Sequence, residues 1–326
     1  MELKSKPMSN DLKHTSSIDS GTHLRFAFLI MLAVLVIAPI WIYPIFLMKV
    51  MCFALFTCAF NLLLGFGGLL SFGHAMFLGS AGYASAHAAK VWGFQPELCV
   101  LFGTLCSAVL ALVVGSLAIR RQGIYFAMIT LALSQMVFFF CLQIPFTGGE
   151  DGIQAVPRGL LFGQIDLSDN LYMYVFVLTI FLFGFLLIWR VVHSPFGQIL
   201  KAIRENQDRA TSLGYDTDLY KLIAFVISGV LAGMAGSTKA LVFQLASLTD
   251  VHWTMSGEVV LMTLVGGMGT LFGPVMGAAI IVTMQNYLAQ LGAWVTIVQG
   301  VIFVICVLAF RRGVIGEIAA KIKKNL

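Results

Sequence analysis

Long apolar blocks, separated by short polar or glycine- and proline-bearing stretches, make up most of this chain. The blocks at about 26–43, 45–65, 74–90, 97–119, 123–143, 171–189, 220–243, 266–289 and 294–310 are each long enough to cross a ~30 Å hydrocarbon layer as an α-helix. A further apolar stretch, 251–265 (VHWTMSGEVVLMTLV), is shorter. One island breaks the pattern: residues 194–213 read SPFGQILKAIRENQDRATSL. There Phe196, Ile199, Leu200 and Ile203 recur at i, i+3, i+4 and i+7, one face of an α-helix, while Lys201, Arg204, Glu205, Gln207 and Asp208 take the other face. Ser194 is placed to cap this helix, Pro195 fits its first position and Gly214 fits a left-handed C-terminal cap. A single helix over 194–213 is expected, exposed in a loop and offered to something in the water.

Composition turns the pattern into a class. Hydrophobic residues make up 59% of the chain and charged residues 11%, against about 25% charged in a soluble domain, so the expectation is an all-α polytopic membrane protein. The net charge of +5 does not point to nucleic acid, because the basic residues lie in loops and tails beside apolar spans, as the positive-inside rule requires. Residues 1–24, with Lys4, Lys6 and Lys13, read as a disordered cytoplasmic tail without a cleavable signal. Arg120, Arg121, Arg190, Lys201, Arg204, Arg209, Lys221, Arg311 and Arg312 mark further cytoplasmic stretches. The loop 144–170 carries Glu150, Asp151, Asp166 and Asp169 against Arg158 alone and lies outside. Lys49 and Lys90 then fall near the outer face, a mild violation. Both termini are cytoplasmic only if an even number of spans joins Lys221 to Arg311, so 251–265 crosses as a short helix and the total is about ten, or fewer if a neighbouring segment is re-entrant.

The two halves of the chain share a break. Residues 67–76 (GGLLSFGHAM) and 267–276 (GMGTLFGPVM) match at Gly67, Phe72, Gly73 and Met76 with a constant offset of 200. Paired interruptions point to duplicated halves and to a pathway between them, since backbone freed inside a bilayer is tolerated only where protein or water satisfies it. The series Gly229–Gly233 and Gly269–Gly273–Gly277 also fit close helix packing.

Candidate chemistry is sparse. No Gly-Lys dipeptide occurs, so no phosphate-binding loop of the GxxxxGK[ST] type is present. The six cysteines sit in apolar runs without a CxxC pair and read as small buried filler. A rhomboid-like dyad from Ser71 or Ser80 with His74 or His87 is a weak alternative. His74, His87, His252 and Glu258 are the ionisable residues in apolar surroundings. They keep an ion-coupled secondary transporter open as an alternative, with Glu258 and His74 its plausible members; for His74 a helix-end hydrogen bond to a freed carbonyl is the preferred reading.

The stretches FNLLLGFGGLLSFGHAMFLGSAGYASA (60–86), GIYFAMITLALSQM (123–136), TGGEDGI (147–153), SPFGQILKAIRENQDRATSLGYD (194–216) and VLMTLVGGMGTLFGPVMGA (260–278) together resemble the permease subunits of branched-chain amino acid ABC importers, of the M type. The resemblance runs from about residue 26 to 316. It implies an ABC importer permease architecture: a membrane domain over 25–316 that includes a cytoplasmic coupling loop at 190–220, flanked by the tail 1–24 and a basic tail 317–326. It also implies a bacterial inner-membrane location, a homologous second permease subunit forming a heterodimer, two cytoplasmic ATP-binding subunits that hold the ATP, a periplasmic substrate-binding protein, and neither a cofactor nor a catalytic activity in this chain. By the same resemblance Lys201, Ala202, Ile203, Arg204, Glu205 and Asn206, with Gly214 ending the element, form the ATPase-coupling helix. Gly67, Ser71, Gly73, His74, Glu258, Gly267 and Gly273 are the translocation-path candidates, because they lie at the breaks or beside them. Leucine, isoleucine and valine are the default cargo; related permeases carry urea, short amides or other amino acids, and these motifs do not separate them.

Overall fold

The computed structural model describes residues 15–288 and a few isolated positions beyond, with side chains from Phe26 onward. The tail 1–14, the expected span at 294–310 and the basic tail 317–326 lie outside the described residues, apart from isolated positions.

Among the described residues eleven α-helices follow in order: α1 (Thr15–Ile37), α2 (Pro44–Asn61), α3 (His74–Lys90), α4 (Pro96–Ala118), α5 (Ile124–Gln143), α6 (Asn170–Val192), α7 (Pro195–Glu205), α8 (Gln207–Ser212), α9 (Thr217–Phe243), α10 (Trp253–Gly266) and α11 (Gly273–Leu288). A π-helical turn, Leu62–Phe66, extends α2. Five of these helices are long and apolar enough to span a membrane: α2 with its π-turn, α4, α5, α6 and α9. Most starts carry a local signal. Proline occupies the first turn of α2, α4 and α7, where its missing N–H is no loss. Asp169, Ser194 and Asp216 accept backbone N–H groups at the starts of α6, α7 and α9.

Helices α2 and α9 form the centre, and α1, α4, α5 and α6 face outward. The packing inverts that of a soluble helix. On α4 the buried face is Gly103, Ser107, Ala111 and Gly115, while Leu101, Leu105, Leu112 and Leu117 are exposed. In lipid there is no hydrophobic drive to hide leucine, and small residues let backbones approach. On α9, a Cβ at Gly229 or Gly233 would lie within 2.5 Å of Ala111 or Ser107, and Ser107 Oγ donates to Gly229 O at 2.8 Å. The expected close packing at Gly229–Gly233 is therefore present. The exposed Trp41 and Tyr43 follow α1, as residues of an interfacial aromatic belt do.

Four expectations change. Helix α1 begins at Thr15, ahead of the apolar run and inside the stretch read as a disordered tail. The island 194–213 is two helices, because Asn206 is extended (φ −158°, ψ 102°) and its side chain accepts the Arg209 N–H to start α8. Helix α11 starts at Gly273 rather than 266, so Gly269 is in a turn and does not belong to a helical small-residue series. The short helix over 251–265 starts within the protein: Ala75 N–H, in the first turn of α3, donates to Ser256 Oγ at 2.9 Å, and Val251 packs on Gly79. Residues 247–252, with a 3₁₀ turn at Leu248–Asp250, lead to it, and α10's 14 residues supply only ~21 Å of rise.

The loop 144–170 is stitched down by two short antiparallel ribbons. Ile153–Gln154 pairs with Leu245–Ala246, and Leu160–Leu161 pairs with Ile165–Asp166. Lys90 Nζ donates to Gln154 O at 2.8 Å and Arg158 to Val242 O at 2.9 Å. Lys90 is thus engaged by the loop, which accounts for its place away from the other basic residues. Ser168 N–H donates to Asp166 at 2.9 Å and holds that carboxyl below the usual carboxylate range.

Candidate translocation site

The two glycine-bearing breaks occupy equivalent positions in the chain, and the π-turn that leads into the first meets the second at Gly65 and Gly269. Residues 67–73 separate the π-turn from α3, and 267–272 separate α10 from α11. Asn61, in the last turn of α2, ties that helix to the second break: its Nδ2 donates to Thr270 O at 2.9 Å and its Oδ1 accepts from Gly269 N at 3.0 Å. Gly65 must lack a side chain there, since a Cβ would sit 2.2 Å from Asn61 Oδ1 and 2.6 Å from Gly269 N. Thr270 Oγ1 then accepts from Gly273 N at 3.1 Å, and Ser71 Oγ accepts from Gly73 N at 3.3 Å. Both breaks satisfy their freed backbone from within, as a low-dielectric surrounding demands.

Helix α7 lies across this junction. The Arg204 guanidinium donates to Gly65 O and its stem covers Gly68, while Lys201 Nζ stands 5.5 Å from the Phe66 ring centroid. Leu200 and Ile203 are buried beneath. At one end the SPFG turn needs glycine at 197, because a Cβ there would meet Val191 O and Val192 O within 2.5 Å. At the other, Gly214 (φ +88°) closes α8. Gln207 holds α8 to α9 through Lys221, which is buried.

The candidate coupling residues divide between the two sides of this helix. Leu200 and Ile203 of the apolar face of α7 are covered by its own chain, whereas Phe196 and Ile199 are half-buried. Of the candidates, Ile203 is buried, Arg204 and Lys201 are engaged by the π-turn, and Asn206 caps α8. Ala202 and Glu205 remain outward without an internal partner among the described residues.

The path candidates separate in the same way. Gly67, Ser71, Gly73, His74, Gly267 and Gly273 are all buried within this chain. His74 Nε2 pairs with Ser228 Oγ at 2.8 Å, and that hydroxyl donates to Ala59 O. The rings of Phe60, Phe77 and Phe225 enclose it. The imidazole partner is thus a hydroxyl rather than a freed carbonyl. No Ser/His dyad forms from the pairs considered, since Ser71 serves Gly73 and His87 stacks on Phe146.

Of the path candidates, Glu258 borders a cavity. That cavity, of about 530 Å³, lies between α2, α9, α10, α11 and residues 245–250. Besides Glu258 its walls carry Lys49, Lys239, Asp250 and Gln285, with Phe53, Phe243 and Met255. Lys239 is ion-paired to Asp250 and lies over the Phe53 and Phe243 rings at 5.5 and 6.0 Å from their centroids. Gln285 Nε2 donates to Glu258 Oε2 at 3.1 Å. Sequence reading missed Asn61, Lys49, Lys239 and Asp250 as a set. Asn61 and Lys239 are isolated polar side chains within apolar helices, which was a usable signal. Nothing in the order of residues showed that four charges share one cavity. Among the described residues no cluster of His, Cys, Asp and Glu could hold a metal.

The helical fold, its five long apolar spans and its paired internal breaks define an all-α polytopic membrane permease. A family profile described as branched-chain amino acid transport system, permease component, matches residues 42–307, and the chain belongs to that family of ABC permeases. It is similar to the high-affinity branched-chain amino acid transport system permease protein LivM of Salmonella typhimurium (strain LT2) and of Escherichia coli (strain K12), in each case 26% identical over 89% of this chain and 74% of the relative. The autoinducer 2 import system permease protein LsrC of Photorhabdus laumondii is 28% identical over 42% of each chain. No solved structure matches.

Proposed function

We propose that this chain is one permease subunit of an ATP-driven importer of branched-chain amino acids in a bacterial inner membrane, with both termini cytoplasmic. It pairs with a homologous second permease to enclose the path, receives cargo from a periplasmic binding protein and is driven by two cytoplasmic ATPases, which bind the ATP; the chain itself is not an enzyme. The branched-chain reading is supported by the extent of the match to the LivM proteins, 89% of this chain against 42% for LsrC.

The observation that carries the coupling role is the seating of α7. Its inner face is locked on the junction of the two breaks through Leu200, Ile203 and Arg204, while Ala202 and Glu205 face outward. Such a helix acts as a lever, because force on its outer face reaches Gly65 and Gly269 through rigid contacts. The ATPase then reads the outer face of α7 and α8, and Arg204 is an internal transmitter.

The test is purification by a tag on this chain, expressed with its partner subunits. Glu205→Arg combined with Ala202→Glu is expected to cut co-purified ATPase about tenfold, the result of losing ~1.4 kcal/mol of affinity. ATPase recovery and ATP-driven leucine uptake both at the unaltered level in that variant would refute the coupling role. Leucine uptake by this chain alone under a proton gradient would replace the importer reading with the ion-coupled carrier.

A further inference from the structure

Four ionisable side chains around one cavity are expensive inside a membrane protein and persist where a pathway or ligand uses them. Their arrangement is specific. Two lysines and two carboxylates leave the wall with no net charge (2 − 2 = 0). Lys239 and Asp250 neutralise one another as a nearly buried ion pair, with the lysine held by two aromatic faces. That leaves Lys49 on α2 and Glu258 on α10 to face the cavity. Gln285 engages one oxygen of Glu258, and Lys49 donates no hydrogen bond among the described residues. Phe53, Phe243 and Met255 form the apolar part of the wall. At about 530 Å³ the cavity falls in the ~300–1,000 Å³ range of small-molecule sites.

Resting on the permease reading above, we infer that this cavity is a transit subsite for an α-amino acid in its zwitterionic form, with Lys49 donating to the substrate carboxylate, Glu258 accepting from the substrate ammonium, and Phe53, Phe243 and Met255 against the apolar side chain. A neutral wall with separated opposite charges selects a dipolar ion over either a free anion or a free cation, because a singly charged solute satisfies one pole and leaves the other unpaired. It also holds the substrate loosely, as a site along a path must if cargo is to leave. The ion pair of Lys239 and Asp250 is a positioning element: it fixes residues 248–250 against α9 and closes that side of the cavity.

The experiment uses the complete complex, purified and placed in liposomes, with Thr249→Cys at the cavity wall as a reporter for a water-soluble thiol reagent. Leucine at ~10 times its apparent Kd is expected to slow labelling about tenfold. At the same concentration 4-methylpentanoate, which lacks the amine, and 3-methylbutylamine, which lacks the carboxylate, are each expected to leave labelling within twofold. Adding Lys49→Met or Glu258→Gln to the reporter removes the protection by leucine. Absent protection, equal protection by all three solutes, or protection that survives both substitutions overturns the subsite. Those outcomes leave ATP-driven leucine uptake by the reporter complex untouched; loss of that uptake with all partners present is instead the failure of the importer reading.

Discussion

Asn61 is the side chain whose loss tests the architecture most directly. It is 2% exposed and makes both halves of a two-bond bridge from α2 to the second break, donating to Thr270 O and accepting from Gly269 N. Substitution by leucine keeps its bulk and removes both bonds. Hydrogen bonds between membrane helices contribute on average ~0.6 kcal/mol and at most ~1.7 kcal/mol each, so two of them set the expected loss at about 1–3 kcal/mol. The measurement is reversible unfolding of the purified protein in mixed micelles. Gly65→Ala attacks the same junction by driving a methyl group into Asn61 Oδ1 and Gly269 N. The double variant should therefore lose clearly less than the sum of the two single losses, as coupled neighbours do. A loss below ~0.5 kcal/mol for Asn61→Leu, or full additivity in the double variant, would refute the bridge.

Gly236→Val places a branched side chain where even a Cβ lies 1.9 Å from Leu78 O. It is expected to pry α3 from α9 at a cost of ~1–3 kcal/mol, read as a lower unfolding midpoint. Gly257→Ala, with nothing within 4 Å of the added carbon, is the contrasting case: it should gain about 0.5–1 kcal/mol from helix propensity in the same assay. Lys239→Met strips Asp250 of its partner in a nearly buried pair and should cost ~3–5 kcal/mol, whereas Lys239→Met with Asp250→Leu should recover most of that loss. Equal destabilisation in the single and double variants would show that the pair is not the source.

The spans were legible because length and hydropathy set them. Helix α3 starts at His74 and ends at Lys90, and α2, α4, α5, α6 and α9 begin or end within a few residues of the expected limits. The matched breaks were legible from Gly67 and Gly73 against Gly267 and Gly273. The roles given to those residues did not follow from the pattern. Glycine at a break satisfies two demands that look alike in sequence, an open lining and a tight backbone crossing, and here Gly65, Gly266 and Gly277 meet the second. The coupling helix shows the same ambiguity. Phe196, Ile199, Leu200 and Ile203 marked an apolar face, but periodicity does not say whether a partner or the chain itself covers it. Asn206 broke the helix because an Asn side chain can cap a new helix as readily as it can sit inside one.

What the sequence determined by itself is the set of helices, their class and the places where they stop. Each of these follows from local quantities: apolar length against bilayer thickness, proline and Asp, Ser or Asn at starts, glycine at ends. The tertiary structure alone decided which helices are central, which break meets which, and which charges share a cavity. In α4 the leucines face outward and the glycines inward because lipid takes leucine as readily as protein does, so hydropathy carries no sign for inside and outside. Lys49, Lys239, Asp250 and Glu258 come from separate helices and a connecting loop up to 209 positions apart. Only the packing of α2, α9, α10 and α11 makes them one wall.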